Sequence, residues 1–110
     1  EHYTTHHGID IMADQNTPVK AALAGKVIEV LTDSRLGITI TVDHGSGLLS
    51  RYSNLLTDVM VKVGDEVTQG QTISGVGRSS MFESAEDPHL HFEVLKDGAN
   101  IDPMEYLAQQ

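Results

Sequence analysis

The sequence contains no cysteine and no tryptophan, and only 7 of its 110 residues are lysine or arginine. Without thiols neither a disulfide nor a thiolate metal site can form, so any metal must be held by histidine and carboxylate. The few cations stand against 16 aspartates and glutamates, for a net charge of −9. Nowhere do basic residues cluster to neutralise phosphates, which argues against nucleic acid as a partner. Docking on anionic lipid through basic residues is excluded on the same ground, so no membrane contact is expected of this chain itself. No apolar run approaches the ~18 residues of a membrane-spanning helix, and no signal peptide is visible. The chain begins at Glu1 rather than methionine, so a targeting or anchoring segment is expected upstream in a longer parent protein.

What is present is a succession of short strands separated by turn residues. The length suits one domain over residues 1–110, with no internal repeat and no linker. Lys26 to Leu31 is a β-branched run. In Gly37 to Val42, Ile38, Ile40 and Val42 share one face and Thr39 and Thr41 the other, the alternation of a half-buried strand. Asp43-His44-Gly45-Ser46-Gly47 reads as a hairpin loop, with Leu48 to Leu55 as the returning strand. Val59, Val61 and Val63 alternate before a Gly64-Asp65 turn. Gln71 to Val76 and His89 to Leu95 supply the last strands, the latter closed by Lys96-Asp97-Gly98. Helix is confined to a turn after Pro103, around Met104 to Leu107. The expected class is all-β, with antiparallel sheets forming a groove.

Pro88-His89-Leu90-His91-Phe92-Glu93-Val94 is the most informative stretch. Residues two apart on a strand point the same way, so His89, His91 and Glu93 share one face while Leu90, Phe92 and Val94 enter the core. Two imidazoles side by side suit a metal and its neighbour, although two surface histidines on a solvated face fit this segment alone equally well. The second piece is His6-His7-Gly8-Ile9-Asp10. In extended chain His6 and Asp10 face one way, Gly8 leaves room between them, and parity favours His6 over His7. Alone, the segment reads as readily as a frayed polar terminus. Together the two pieces offer the set zinc uses in catalytic sites: three protein ligands and an open fourth position. Glu93 is expected to be structural or to support a ligand from behind, His44 to hydrogen-bond locally, Tyr52 to pack, and the methionines to be packing residues.

The ordered motifs resemble the lysostaphin/LytM family of zinc endopeptidases, which cut peptide bonds in bacterial cell-wall peptidoglycan. They are His-x-x-x-Asp near the start, Val19-Lys20-Ala21-Ala22 before Gly25-Lys26-Val27, the Val42-Asp43-His44-Gly45 hairpin, Val63-Gly64-Asp65-Glu66-Val67, and the terminal His-x-His-Phe-Glu-Val. The closing Asn100-Ile101-Asp102-Pro103 with Tyr106-Leu107 completes a match from about His6 to Leu107. The resemblance implies Zn2+ on His6, Asp10 and His91, with His89 as the catalytic histidine. Zinc there would activate a water and polarise the scissile carbonyl, and an imidazole would move a proton or hold the oxyanion.

Two departures stand out. The family's other catalytic histidine sits in Tyr-x-His-Leu, where this chain has Tyr52-Ser53-Asn54-Leu55. Asn54 can donate a hydrogen bond but cannot relay a proton near neutral pH, so this is a degenerate catalytic position and activity is expected to be impaired. Arg78 to Asp87 is also longer and more acidic than the family's loop there, and its acidic segment Met81 to Asp87 is expected to overhang the groove beside His89, narrowing substrate access. Both features, with Ser34-Arg35-Leu36-Gly37, resemble the narrower stage II sporulation protein Q group. Its members keep the LytM fold outside the forespore membrane within an intercellular complex. The competing functions are therefore a peptidase acting on peptidoglycan peptide and a non-catalytic scaffold binding an extracytoplasmic protein in a sporulation complex. Both imply an extracytoplasmic location. A biotinyl- or lipoyl-carrier reading of Val63 to Gln71 is set aside, because no lysine sits at the required hairpin tip.

Overall fold

The computed structural model describes residues 2–5, 8–57, 59–77 and 88–104. Its strands, in chain order, are β1 (His2–Thr5), β2 (Gly8–Met12), β3 (Pro18–Lys20), β4 (Gly25–Asp33), β5 (Gly37–Gly45), β6 (Leu48–Ser53), β7 (Glu66–Val67), β8 (Thr72–Gly75), β9 (His89–Lys96) and β10 (Ala99–Ile101). Every pairing is antiparallel. The large sheet runs β1-β2-β9-β6-β5-β4-β7 with β10 also on β9, and β3 pairs with β8 in a small second sheet. The expected all-β class is what the chain adopts.

Period-two alternation, read across the sheet, builds the core. Ile9 opposes Phe92, Phe92 opposes Tyr52, Tyr52 opposes Ile40, and Ile40 opposes Val30, one apolar row from β2 to β4. Ile9, Ile40 and Phe92 are wholly buried, and the Tyr52 and Phe92 rings meet at a centroid distance of 5.3 Å. Val19, Ala21, Ile73, Leu55 and Val76 add to the same core from the small sheet and its connections. The small sheet thus caps the apolar face of the large one.

A line of hydrogen bonds ties the two layers through this core. The Ala22 backbone N–H donates to the Tyr52 hydroxyl at 2.8 Å, and the Tyr52 and Ser50 hydroxyls lie 2.7 Å apart. His44 Nε2 is 2.7 Å from Ser50 Oγ and His44 Nδ1 is 2.8 Å from the Ala24 carbonyl. A carbonyl can only accept, so Nδ1 carries the proton and Nε2 accepts from Ser50. His44 is thus the local hydrogen-bonding residue that was expected, and Tyr52 packs.

Several elements differ from the sequence reading. β5 runs on to Gly45, and the hairpin turns in two residues, Ser46 and Gly47, both at positive φ as a tight hairpin requires. Thr39 and Thr41 are buried rather than solvated, since the second face of β5 carries a polar network instead of water. Residues 59–63 form no strand despite alternating valines; the Met60 N–H donates to the Ile73 carbonyl outside any ladder. Met12, Met60 and Met104 are exposed rather than packed. Beyond Met104 the expected helical turn lies outside the described residues, as does the segment 78–87.

Removing the Tyr52 hydroxyl should leave the Ala22 N–H and the Ser50–His44 pair short of a buried partner. Tyr52→Phe is therefore expected to destabilise the protein by about 1–3 kcal/mol in urea unfolding, with the backbone signature of the sheet unchanged.

Candidate metal centre

Opposite the apolar row, the same registers place polar residues in line. Asp10 on β2 lies directly across from His91 on β9, and His91 lies across from Ser53 on β6. Both Asp10 and His91 are buried, at 6% and 5% exposure. His91 Nδ1 donates to Asp10 Oδ1 at 2.7 Å, and Nε2 donates to Glu93 Oε2 at 3.0 Å. The imidazole is therefore clamped between two carboxylates, one on the neighbouring strand and one two residues along its own.

Glu93 is held in turn. Its Oε1 receives Asn100 Nδ2 at 3.2 Å and Arg51 Nη1 at 3.4 Å. Arg51 Nε reaches Thr41 Oγ1, which donates to Glu29 Oε1, so one network crosses the sheet from β4 to β2. Gly8 makes room for this arrangement. Its φ is +144°, and a side chain there would collide with the Phe92 carbonyl and the Glu93 side chain. The close approach of β9 and of the Glu93 side chain is what requires glycine at this position.

The electrostatics follow from the clamp. Burial works to lower the His91 pKa, but the hydrogen bonds and charges of Asp10 and Glu93 outweigh it and raise it from 6.5 to about 9. Burial likewise pushes Glu93 up, and its bonds to His91 and Asn100 with the His91 and Arg51 charges bring it below its ordinary value. In metal-free protein the Nδ1 proton occupies the place between imidazole and carboxylate that a divalent cation would take. An imidazole backed on one nitrogen by a carboxylate, with its other nitrogen turned to a second oxygen donor, is how proteins present histidine to zinc. The chemistry of this donor pair fits that ion.

Among the described residues no third His, Asp or Glu completes a metal-holding group. His6, the expected third ligand, and His7 lie outside the described residues. His89 opens β9 opposite Met12, on the His91 face, and is 1% exposed. The histidine face is thus buried, which removes the reading of two solvated surface imidazoles. Asn54, just past β6, is equally buried, and its Nδ2 donates to the His89 backbone carbonyl at 2.9 Å. Arg51 and Asn100 as supports of Glu93 escaped the sequence reading. The signal was Arg51's parity with Glu93, usable only once β6 is known to pair with β9.

Comparison with known proteins identifies the family of the chain. The model of Peptidase family M23 matches residues 4–103. Stage II sporulation protein Q of Bacillus subtilis is 34% identical over 107 residues, covering 96% of this chain and 37% of that protein. Peptidoglycan DD-endopeptidase ShyB of Vibrio cholerae is 34% identical over 99 residues, covering 90% of this chain and 22% of that protein. The chain therefore spans well under half the length of these relatives. Among solved structures, a zinc containing peptidase from Vibrio cholerae superposes with a TM-score of 0.82 at 34% identity, over 90% of this chain and 29% of that one. The lysostaphin catalytic domain from Staphylococcus simulans gives 0.81 at 32% identity, over 94% and 80%. The SpoIIQ–SpoIIIAH pore forming complex gives 0.69 at 36% identity, over 78% and 53%.

Two outcomes are expected from the clamp. Glu93→Gln removes the carboxylate behind His91 and should weaken zinc binding by about 10–100-fold in chelator competition. In metal-free protein the raised His91 pKa contributes stability that is complete below pH 6.5 and is lost as pH rises through about 9. The depressed Glu93 pKa contributes above 4.5 and is lost as pH falls through its folded value. Melting with chelator present should thus be highest between pH 4.5 and 6.5 as far as this pair is concerned. A melting temperature that does not fall from pH 6.5 to 10, or that falls equally in Glu93→Gln, would refute the clamp.

Proposed function

The chain belongs to Peptidase family M23, and from that membership we propose that it is a zinc-binding endopeptidase domain directed at bacterial peptidoglycan, with impaired turnover. The observation that carries the proposal is the His91 clamp, a buried imidazole oriented by Glu93 toward Asp10. The relationship to peptidoglycan endopeptidases and the likeness to a zinc containing peptidase support it. Peptidoglycan as substrate requires the domain to act outside the cytoplasm.

In this reading His6, Asp10 and His91 hold the metal. A zinc ion there supplies Lewis acidity toward a peptide carbonyl and toward water. His89 would take or return a proton, and Glu93 keeps the His91 ring from turning. Asn54 supplies no proton relay, because an amide neither gains nor loses a proton near neutral pH. The missing imidazole accounts for a loss of about 10²–10⁴ in rate relative to a complete site.

A second reading is a scaffold that keeps the fold and binds an extracytoplasmic protein partner. Asn54 favours it, since its amide keeps a structural bond to the His89 backbone and carries no proton-relaying nitrogen. Likeness to stage II sporulation protein Q and to the SpoIIQ–SpoIIIAH complex supports a protein partner of this kind.

Elemental analysis of zinc-loaded protein is expected to give about one zinc per chain, lost in His6→Ala, Asp10→Ala and His91→Ala and kept in His7→Ala. Digestion of purified peptidoglycan should be slow and should disappear in His89→Ala. Zinc that survives all three ligand substitutions would sink the metal assignment. Robust wild-type cleavage would overturn the impairment, and no cleavage by folded, zinc-loaded protein would favour the scaffold.

A further inference from the structure

Asn54 lies in the left-handed region at φ +65°, immediately after β6 and before the bridge of Leu55 to Val76. Three segments hold it. Its N–H donates to the Leu36 carbonyl and its own carbonyl accepts from the Gly77 N–H, both at 2.9 Å. Its side-chain Nδ2 donates to the His89 carbonyl, also at 2.9 Å. A side chain on Gly77 would run into the backbone of Leu55 and Leu56, so the chain can pass this closely only with glycine there. The position is a built junction between the end of β6, the turn before β5, the exit of β8 and the start of β9.

Two requirements act on the residue at 54. Few non-glycine residues take a left-handed backbone readily, and asparagine, aspartate and histidine are the enriched ones. The side chain must also donate to a buried carbonyl. Aspartate fails, because a carboxylate only accepts. Asparagine and histidine both satisfy it, since Nδ2 of one and Nδ1 of the other are bonded directly to Cγ of a planar group. They differ beyond that atom, where imidazole continues to Cε1 and Nε2.

We infer that Asn54 is an anchored stand-in for histidine: it donates from Nδ2 the bond to the His89 carbonyl that an imidazole would donate from Nδ1, and omits only the distal, proton-carrying nitrogen. Asn54 is then a positioning residue for His89. The loss of proton chemistry at 54 leaves the frame around it intact, and one substitution restores an imidazole to its socket. What the restored Nε2 would do rests on the peptidase reading above; the socket itself does not.

The test compares Asn54→His with Asn54→Asp in zinc-loaded protein. For Asn54→His, long-range 1H–15N spectra should show the new imidazole protonated on Nδ1, and the protein should melt within a few degrees of wild type. Asn54→Asp should raise amide exchange at the start of β9 by roughly tenfold to a hundredfold, the size expected for a lost buried bond. It should also shift the His89 ring resonances, whereas Val19→Ala, a core truncation in the other sheet, should leave those resonances in place. An Asn54→His protein that fails to fold, or whose new imidazole carries its proton on Nε2 alone, would overturn the inference. So would unchanged exchange and unchanged His89 resonances in Asn54→Asp. Peptidoglycan digestion separates the two readings. A gain of about tenfold or more in Asn54→His supports both, whereas an Nδ1-anchored imidazole without any gain supports the socket and counts against the peptidase.

Discussion

β9 is hydrogen-bonded to β2 on one side and to β6 on the other, and its register decides which face every one of its side chains meets. A shift by a single residue would exchange the two faces. Phe92, now against Ile9 and Tyr52, would turn toward the polar network, and His91 would be driven into the apolar core. The two faces therefore enforce each other. The apolar row cannot assemble without presenting Asp10, His91 and Glu93 together on the reverse side. The position of the polar cluster follows from packing on the opposite, apolar face.

The polar face is densely charged for a buried surface. Asp10, His91, Glu93 and the half-buried Arg51 form a sequence of alternating sign, continued through Thr41 to Glu29. Burying any one of these charges alone would cost several kcal/mol, roughly, and an isolated pair seldom repays that. Here each carboxylate has a cation or donor on its inner side, and Arg51 reaches the sheet surface, where water shares in its solvation. The charge on His91 is balanced by the two carboxylates that flank it.

Much of this was legible from residue order. The β9 alternation predicted the split between His89, His91 and Glu93 and the core residues, because period two is local and needs no partner. The strand character of β4, β5 and β6 was legible for the same reason. What escaped was set by tertiary context. Thr39 and Thr41 look like solvent-facing residues, yet Glu29, Arg51 and Ser53 cover them with polar partners. Val59, Val61 and Val63 alternate without a neighbouring strand to pair with, and alternation alone does not make a ladder. The close approach of Phe92 and Glu93 to Gly8 is likewise a contact between distant segments. Asn54 was readable as a missing imidazole, but its bond to His89 joins residues 35 apart and leaves no trace in local pattern. The resemblance to the family implied the site residues as a set; the register of β2 on β9 gives the reason Asp10 and His91 come together.

Asp10 and His91 are separated by 81 positions in the chain. β4, β5 and β6 follow one another through tight turns, so their pairings close short loops and can form quickly. β2 must instead find β9 after most of the chain has been synthesised and arranged, which is the slow, non-local kind of contact that raises contact order and retards folding. The donor pair thus does not exist in any partly folded chain that lacks its C-terminal strand. During vectorial synthesis the nascent domain carries Asp10 for some eighty residues before its partner emerges, with no competent clamp on the way. Metal capture by this pair would therefore coincide with the last step of sheet closure, making the ion a latch on completed folding rather than a nucleus for it.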